Sequence, residues 1–212
     1  MFKLDLNHEK LRRIYLSIRY GFFVPGFDGM MNEIKCKFLY SIVMQYSGER
    51  SFIVEIGSFK GCSTTWLGMA GKRKSFKGLL AIDLFTGTPS WGQKFDTYSS
   101  FMHRMQKNKL VDFVQAIRGH SSEVIKTWGP DKRIAILHID GDHAYAGVKA
   151  DSEGYIPFVQ AGGIVIFDDY DSDHLDVKRM VDELLSGGNF KIVSVVKEIN
   201  GSYGSIALRK IS

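Results

Sequence analysis

Acids at the ends of apolar runs are the first residues in this chain with evident chemical content. The stretch Leu137-His138-Ile139-Asp140-Gly141-Asp142-His143-Ala144-Tyr145 is followed, after a segment of helical period, by Gly162-Gly163-Ile164-Val165-Ile166-Phe167-Asp168-Asp169-Tyr170-Asp171. Asp140 closes one run and the Asp168-Asp169 pair closes the other. If the two runs are neighbouring strands, about 4.8 Å apart, three carboxylates converge at one end of a sheet. Alone, each acid could simply end a strand or cap a helix. Three together repel one another unless a hard dication with oxygen ligands sits among them, and Mg2+ with retained waters suits such a set. His143 stands three residues after Asp140, within reach of the same pocket. An imidazole pKa of about 6.5 fits it for general-base work at neutral pH.

A fourth acid, Glu55, lies inside the run Phe52 to Ile56, just before Gly57-Ser58-Phe59-Lys60-Gly61-Cys62-Ser63. Burying a carboxylate is costly without a partner, and the ammonium of a bound cofactor would be one. Gly57 and Gly61 let the backbone approach a ligand closely. Their spacing is not the dinucleotide fingerprint GxGxxG, and Gly71-Lys72 is followed by Arg73, so no triphosphate P-loop is present. The next apolar run ends in Asp83, at the separation expected of an acid on ribose hydroxyls. Ser121 fits either an N-cap or a cofactor contact. Asp142 fits either a loop-holding role or a place near the substrate, and His138 reads as a core histidine, while His120 fits equally an exposed loop or the cofactor pocket.

Positioning these groups requires a sheet. Apolar, largely β-branched runs alternate with segments of helical period, the signature of a doubly wound, mostly parallel α/β sheet. Strands are predicted at Phe52 to Ile56, Leu79 to Asp83, Phe113 to Ile117, Ile134 to Ile139, Ile164 to Phe167, Phe190 to Lys197 and Ser202 to Leu208. The last two form an antiparallel hairpin about Asn200-Gly201. Helices are predicted near Glu9 to Tyr20, Met30 to Tyr46, Ser63 to Gly71, Thr97 to Asn108, Ser121 to Thr127, Ala146 to Gln160 and Val177 to Leu185. Gly162-Gly163 and Gly187-Gly188 are expected to cap two of them. Leu84 to Asp96 reads as a lid or substrate loop, with Trp91, Phe95 and Tyr98 available for stacking or for packing beneath it. The stretch Gly21 to Phe27 could likewise fold over the site.

At 212 residues the chain suits a single domain, with residues 1–48 as an N-terminal helical segment and 49–212 as the α/β core. Its beginning is charged throughout, unlike a secretory signal, and no apolar run is long enough to span a bilayer, so a cytoplasmic protein with no membrane partner is expected. Cys36 and Cys62 read as buried thiols. The net charge of +5 raises a nucleic-acid partner, but its densest basic run, Gly71 to Gly78, enters a strand at the edge opposite the ligand crevice, which makes that partner the less favoured one.

Glu55, Gly57, Gly61 and Asp83 match the ExGxxxG-then-acid pattern of the class I methyltransferases, which this sequence therefore resembles. The resemblance implies S-adenosylmethionine across the carboxyl edge of the sheet, near Glu55, Gly57, Ser58, Gly61, Ser63, Asp83, Ser121 and Asp140. Asp140-Gly141-Asp142-His143 and Asp168-Asp169 resemble the metal-dependent O-methyltransferases, most closely the macrolide-sugar branch. By that resemblance Asp140, Asp168 and Asp169 are metal ligands and His143 is the base. Catechol-type relatives carry lysine at the position of His143 and asparagine at that of Asp169, so the implied acceptor is a small-molecule hydroxyl of sugar or secondary-metabolite type. Pairing into a homodimer is compatible with a domain of this kind. Two other readings stand beside this one: a metal-dependent hydroxylase-like enzyme on the same fold, and a non-catalytic module that binds S-adenosylmethionine.

Overall fold

The computed structural model describes residues 3–24, 26, 31–46, 50–87, 95–170, 175–197 and 204–212. Its elements run α1 (Lys3–Tyr20), α2 (Glu33–Met44), β1 (Phe52–Ile56), α3 (Cys62–Arg73), β2 (Gly78–Asp83), α4 (Tyr98–Lys107), β3 (Val114–Arg118), α5 (Ser121–Val124), β4 (Ile134–Ile139), α6 (Tyr145–Tyr155), β5 (Val159–Tyr170), α7 (Leu175–Ser186), β6 (Phe190–Val196) and β7 (Gly204–Lys210). The strands form one sheet in the order β3-β2-β1-β4-β5-β7-β6. β1 to β5 are mutually parallel, while β7 runs antiparallel to both β5 and β6. The order reverses between β1 and β4, and in open α/β sheets the ligand crevice lies at the carboxyl ends of such a switch point. Among the described residues no helix is long and apolar enough to cross a membrane.

Side chains alternate across each strand, so every strand feeds two cores. Ile53, Leu79, Ala81, Ile136, Ile164 and Ile166 share one core with Cys36 and Leu39 of α2, Trp66 and Leu67 of α3 and Phe101 of α4. Val54, Leu80, Leu137, Val165 and Phe167 share the other with Val148 and Tyr155 of α6 and Val177 and Val181 of α7. Burial on both faces explains why the central strands read as unbroken apolar runs. α2 starts later than predicted because Asn32 caps it, its side-chain oxygen accepting the Lys35 N–H at 2.9 Å.

The glycine pair Gly162-Gly163 does not cap a helix. α6 stops at Tyr155, passes into a 3-10 turn at Ile156–Phe158 that contains Pro157, and β5 has already begun at Val159. Ile134 pairs with Val159 and Ile136 with Ile164, so Gln160 to Gly163 bulge out of the ladder. Gly162 has φ +77°, and a Cβ on Gly163 would lie 2.7 Å from the Val159 side chain. Helix caps and bulges both call for glycine, which is why the sequence was ambiguous here. Gly188, at φ +76°, does follow the end of α7 as expected. The hairpin of β6 and β7 is present, although Asn200-Gly201 lies outside the described residues.

Tyr20 at the end of α1, Phe22 beyond it and Tyr40 of α2 pack edge-on around the fully buried Trp66 of α3. Phe22 is therefore a core residue and does not fold over the site; Pro25 and Phe27 lie outside the described residues. Arg73 of α3 clamps the same joint, donating to the Tyr20 carbonyl and to the Tyr40 hydroxyl. Truncating Trp66 to alanine removes this pin, and urea denaturation of the variant is expected to show a loss of about 3–5 kcal/mol. A loss below about 1 kcal/mol would mean that the helical segment is not anchored there.

Candidate functional site

The turn after β1 has glycine at two positions where the backbone is left-handed and a side chain has no room. Gly57 has φ +87° and Gly61 φ +81°. A Cβ on Gly57 would lie 1.9 Å from the carbonyl oxygen of Asp140, so this turn rests directly on the end of β4. A Cβ on Gly61 would strike the Phe101 ring at 2.8 Å. Gly61 is also the N-cap of α3 and offers no side chain to the first-turn N–H groups, the arrangement that suits an anionic ligand group. Ser63, in that first turn, is buried. Ser58 is buried too, and its hydroxyl has no hydrogen-bond partner among the described residues.

Asp83 ends β2 beside this turn, as expected, and ties two loops together. Its carboxylate accepts the N–H of Phe59 at 2.7 Å and that of Phe85 at 2.5 Å. Burial pushes its pKa above the ordinary range against the pull of these two donors. Glu55 departs from expectation, because its partners are internal: it accepts the Thr64 hydroxyl of α3 and lies 3.2 Å from Nδ1 of His138. No ligand ammonium is needed to explain its burial. His138 is accordingly a core histidine; burial works against its protonation, yet Glu55 holds its pKa above the ordinary value. Its Nε2 is buried without a partner among the described residues.

Strand parity then assembles the acid cluster. Glu55 is in register with His138, and the next positions on that face are Gly57, Asp140 and Asp168. Asp169, at φ 54°, breaks the pleat where the β5–β7 register shifts, so two consecutive acids serve one edge. Nε2 of His143 lies 3.3 Å from Asp169 Oδ2 and 3.6 Å from Asp140 Oδ1. Ligand atoms of Asp140, His143 and Asp169 all fall within 4.8 Å of one another, close enough to share one metal ion. Asp168 takes a different place from the one the sequence suggested. One of its oxygens accepts from the Ser205 hydroxyl of β7, and the other accepts from Nζ of Lys35 at 2.9 Å. Lys35 also donates to Asp169 Oδ1 at 3.0 Å. Burial, then the charge of Asp168, pushes Asp140 well above the carboxylate range, against the pull of His138 and Lys35. Burial alone would lower Lys35, but the three aspartates together hold it raised.

On the other side of β1, Ser121 does not cap its helix, whose N-cap is His120. The Ser121 hydroxyl instead donates to Asp151 of α6 at 2.5 Å. Asp142 is exposed and holds its own loop, accepting the Ala144 N–H at 3.0 Å. His120 is exposed. Tyr98 packs edge-on against the buried Phe85, and Phe95 lies edge-on to Phe59. Trp91 and Gly92 of the expected lid lie outside the described residues. Lys35, Thr64, Ser205 and Asp151 were not singled out from sequence. Only Lys35 left a trace there, standing one and two turns before Leu39 and Ile42 on an otherwise apolar helix face.

Residues 54–170 match the family model described as a methyltransferase domain, more than half of the chain, and the chain belongs to that family. Protein R132 of Acanthamoeba polyphaga mimivirus is 34% identical over 120 residues, 55% of this chain; the match spans half the length of that protein. Among solved structures, TomG of Streptomyces achromogenes, an O-methyltransferase of tomaymycin synthesis determined with S-adenosylmethionine, superposes with a TM-score of 0.68 over 100% of both chains at 15% identity. An O-methyltransferase of Bacillus cereus, in complex with S-adenosylhomocysteine, gives 0.65 at 17% identity over 94% of this chain and 89% of its own. At such identities the superpositions establish a shared fold.

Two substitutions test this geometry. Gly57→Ala is expected to abolish binding of S-adenosylhomocysteine in calorimetry and to lower stability by more than about 2 kcal/mol, since a side chain must displace the end of β4. Asp151 is raised to about 6, first by burial, with Ser121 opposing. The folded protein therefore keeps a proton, between about pH 4 and pH 6, that the unfolded chain has released, so this residue's contribution falls as pH rises through that window. In urea titrations the stability difference between wild type and Asp151→Asn should change by on the order of 2–3 kcal/mol across it. A pH-independent difference would contradict the assignment.

Proposed function

We propose that this chain is an S-adenosylmethionine-dependent O-methyltransferase that acts on a hydroxyl of a small molecule and is assisted by a divalent cation. The observation that carries the reading is the contact between the Gly57 turn, read here as the cofactor cradle, and the end of β4 at Asp140. The cradle fits the cofactor on three counts: a turn with no room for a side chain at Gly57, the orphaned Ser58 hydroxyl, and the uncapped start of α3 for an anionic group. Asp83, at the end of β2, is placed for the ribose hydroxyls. Two carboxylates and an imidazole suit a divalent ion, so Asp140, Asp169 and His143 are the residues that would hold it or border it. The cofactor supplies an electrophilic methyl group, and the cation supplies charge that orients and acidifies an acceptor hydroxyl.

Methyl transfer from a sulfonium is an in-line displacement, in which the oxygen–carbon bond forms as the carbon–sulfur bond breaks. The acceptor oxygen loses its proton in the process, and His143 is the group placed to take it. Asp140 and Asp169 both face Nε2 of that imidazole, so they orient the ring and stabilise the imidazolium it becomes. Asp168 is held inside the edge by Lys35 and Ser205. The single histidine in the cluster does not make the two-histidine facial triad of iron oxygenases, so the hydroxylase reading gains no support among the described residues. A sugar or secondary-metabolite acceptor, a cytoplasmic setting and pairing into a homodimer belong to this reading as well.

Calorimetry with S-adenosylmethionine, with and without Mg2+, tests the assignment at its base, and absence of heat in both conditions would remove it. Once an acceptor is found, His143→Ala should lower turnover by about 10²- to 10⁴-fold with cofactor affinity little changed. Unaltered turnover would take the base role from His143.

A further inference from the structure

Lys35 has no part in the displacement described above, yet it is placed at the centre of the acid edge. It comes from α2, more than a hundred residues before the acids it meets, and its side chain is only 4% exposed. It stands on the same helix face as Leu39 and Ile42, where an apolar residue would pack without any electrostatic demand. Its ammonium lies 2.9 Å from Asp168 and 3.0 Å from Asp169, and Asp169 is one of the three residues close enough to share a cation. Asp169 is thereby divided: Oδ1 faces Lys35, and Oδ2 faces His143 and the Asp140 side.

We propose that Lys35 is a built-in counter-cation that sets how tightly this edge holds a divalent metal ion. The ammonium keeps Asp168 out of the coordinating set and draws charge from Asp169, leaving Asp140 and half of Asp169 for the ion, with His143 bordering it. Ammonium and dication are like charges competing for one carboxylate in surroundings that screen poorly, so each weakens the hold of the other. Unlike a bound ion, a lysine on a packed helix cannot diffuse away. The protein therefore offsets part of the acid charge and keeps its edge folded without metal, and takes up the metal weakly and reversibly. The inference rests on the reading of Asp140, His143 and Asp169 as a metal seat.

Mn2+ binding to the full-length chain tests it, followed by calorimetry and by the loss of the free-ion electron paramagnetic resonance signal. Wild type is expected to bind weakly. Lys35→Gln, which keeps a hydrogen-bond donor but removes the charge, should bind at least about tenfold tighter. Lys35→Arg, which keeps the charge, should remain within about threefold of wild type. Adding Mn2+ should also raise the melting temperature of Lys35→Gln more than that of wild type. Equal or weaker binding by Lys35→Gln overturns the proposal while leaving the metal seat in place. A wild-type dissociation constant below about 1 µM overturns it whatever the variants do. If no form binds Mn2+ while S-adenosylhomocysteine still binds, the metal seat itself is refuted and the proposal with it.

Discussion

Adjacent parallel strands that end in acids at the same height force carboxylates together, and the structure of this edge follows from how that repulsion is relieved. Asp140, just past β4, and Asp168 of β5 occupy equivalent positions on one face, and Asp169 is added to them by a break in the pleat. Removing one partner of a buried ion pair costs about 3–5 kcal/mol, so an unneutralised triad would consume much of a domain's stability. Lys35 and Ser205 secure the inner part of the cluster, and the outer part is left to Asp140, Asp169 and His143. The inner half is closed by the protein itself; the outer half is the one that chemistry can use.

The remaining architecture brings a second structure against that outer half. Because β1 lies between β2 and β4, the turn after β1 emerges beside the end of β4, and the missing side chain at Gly57 lets the two touch. Parity places Glu55 and His138 one layer below, where each answers the other's burial and Thr64 completes the pair. The first layer is thus polar and paired internally except at Nε2 of His138, and the acids lie in the layer above it. Asp83 closes the opposite side by holding the turn to the loop after β2.

Much of this could be read from the sequence because a doubly wound sheet writes its strands as apolar runs and its crevice as the residues that follow them. The limits of β1 and β4, the terminal hairpin, the glycine turn and the acids at the edge were legible for that reason. What escaped was whatever depends on contacts between distant segments. Lys35 showed only as a lysine on an apolar helix face, since nothing local says that its ammonium meets acids on β5. Ser121 carries the residue type of a cap, but Asp151 lies within reach only after α6 folds back. Glu55 was sound as a buried acid, but its internal partner was not foreseen, because His138 faces it only through strand register. The division of labour among Asp140, Asp168 and Asp169 likewise depends on the backbone angle at Asp169.

The central claim is that the glycine turn and the acid edge form one site. A crystal structure of the protein grown with S-adenosylhomocysteine and Mn2+, with anomalous data collected for the metal, tests it most directly. The account expects the nucleoside over Gly57 to Gly61 with its ribose at Asp83, and a single anomalous peak bounded by Asp140, Asp169 and His143. A peak remote from those residues, or a nucleoside bound away from the turn, would contradict it.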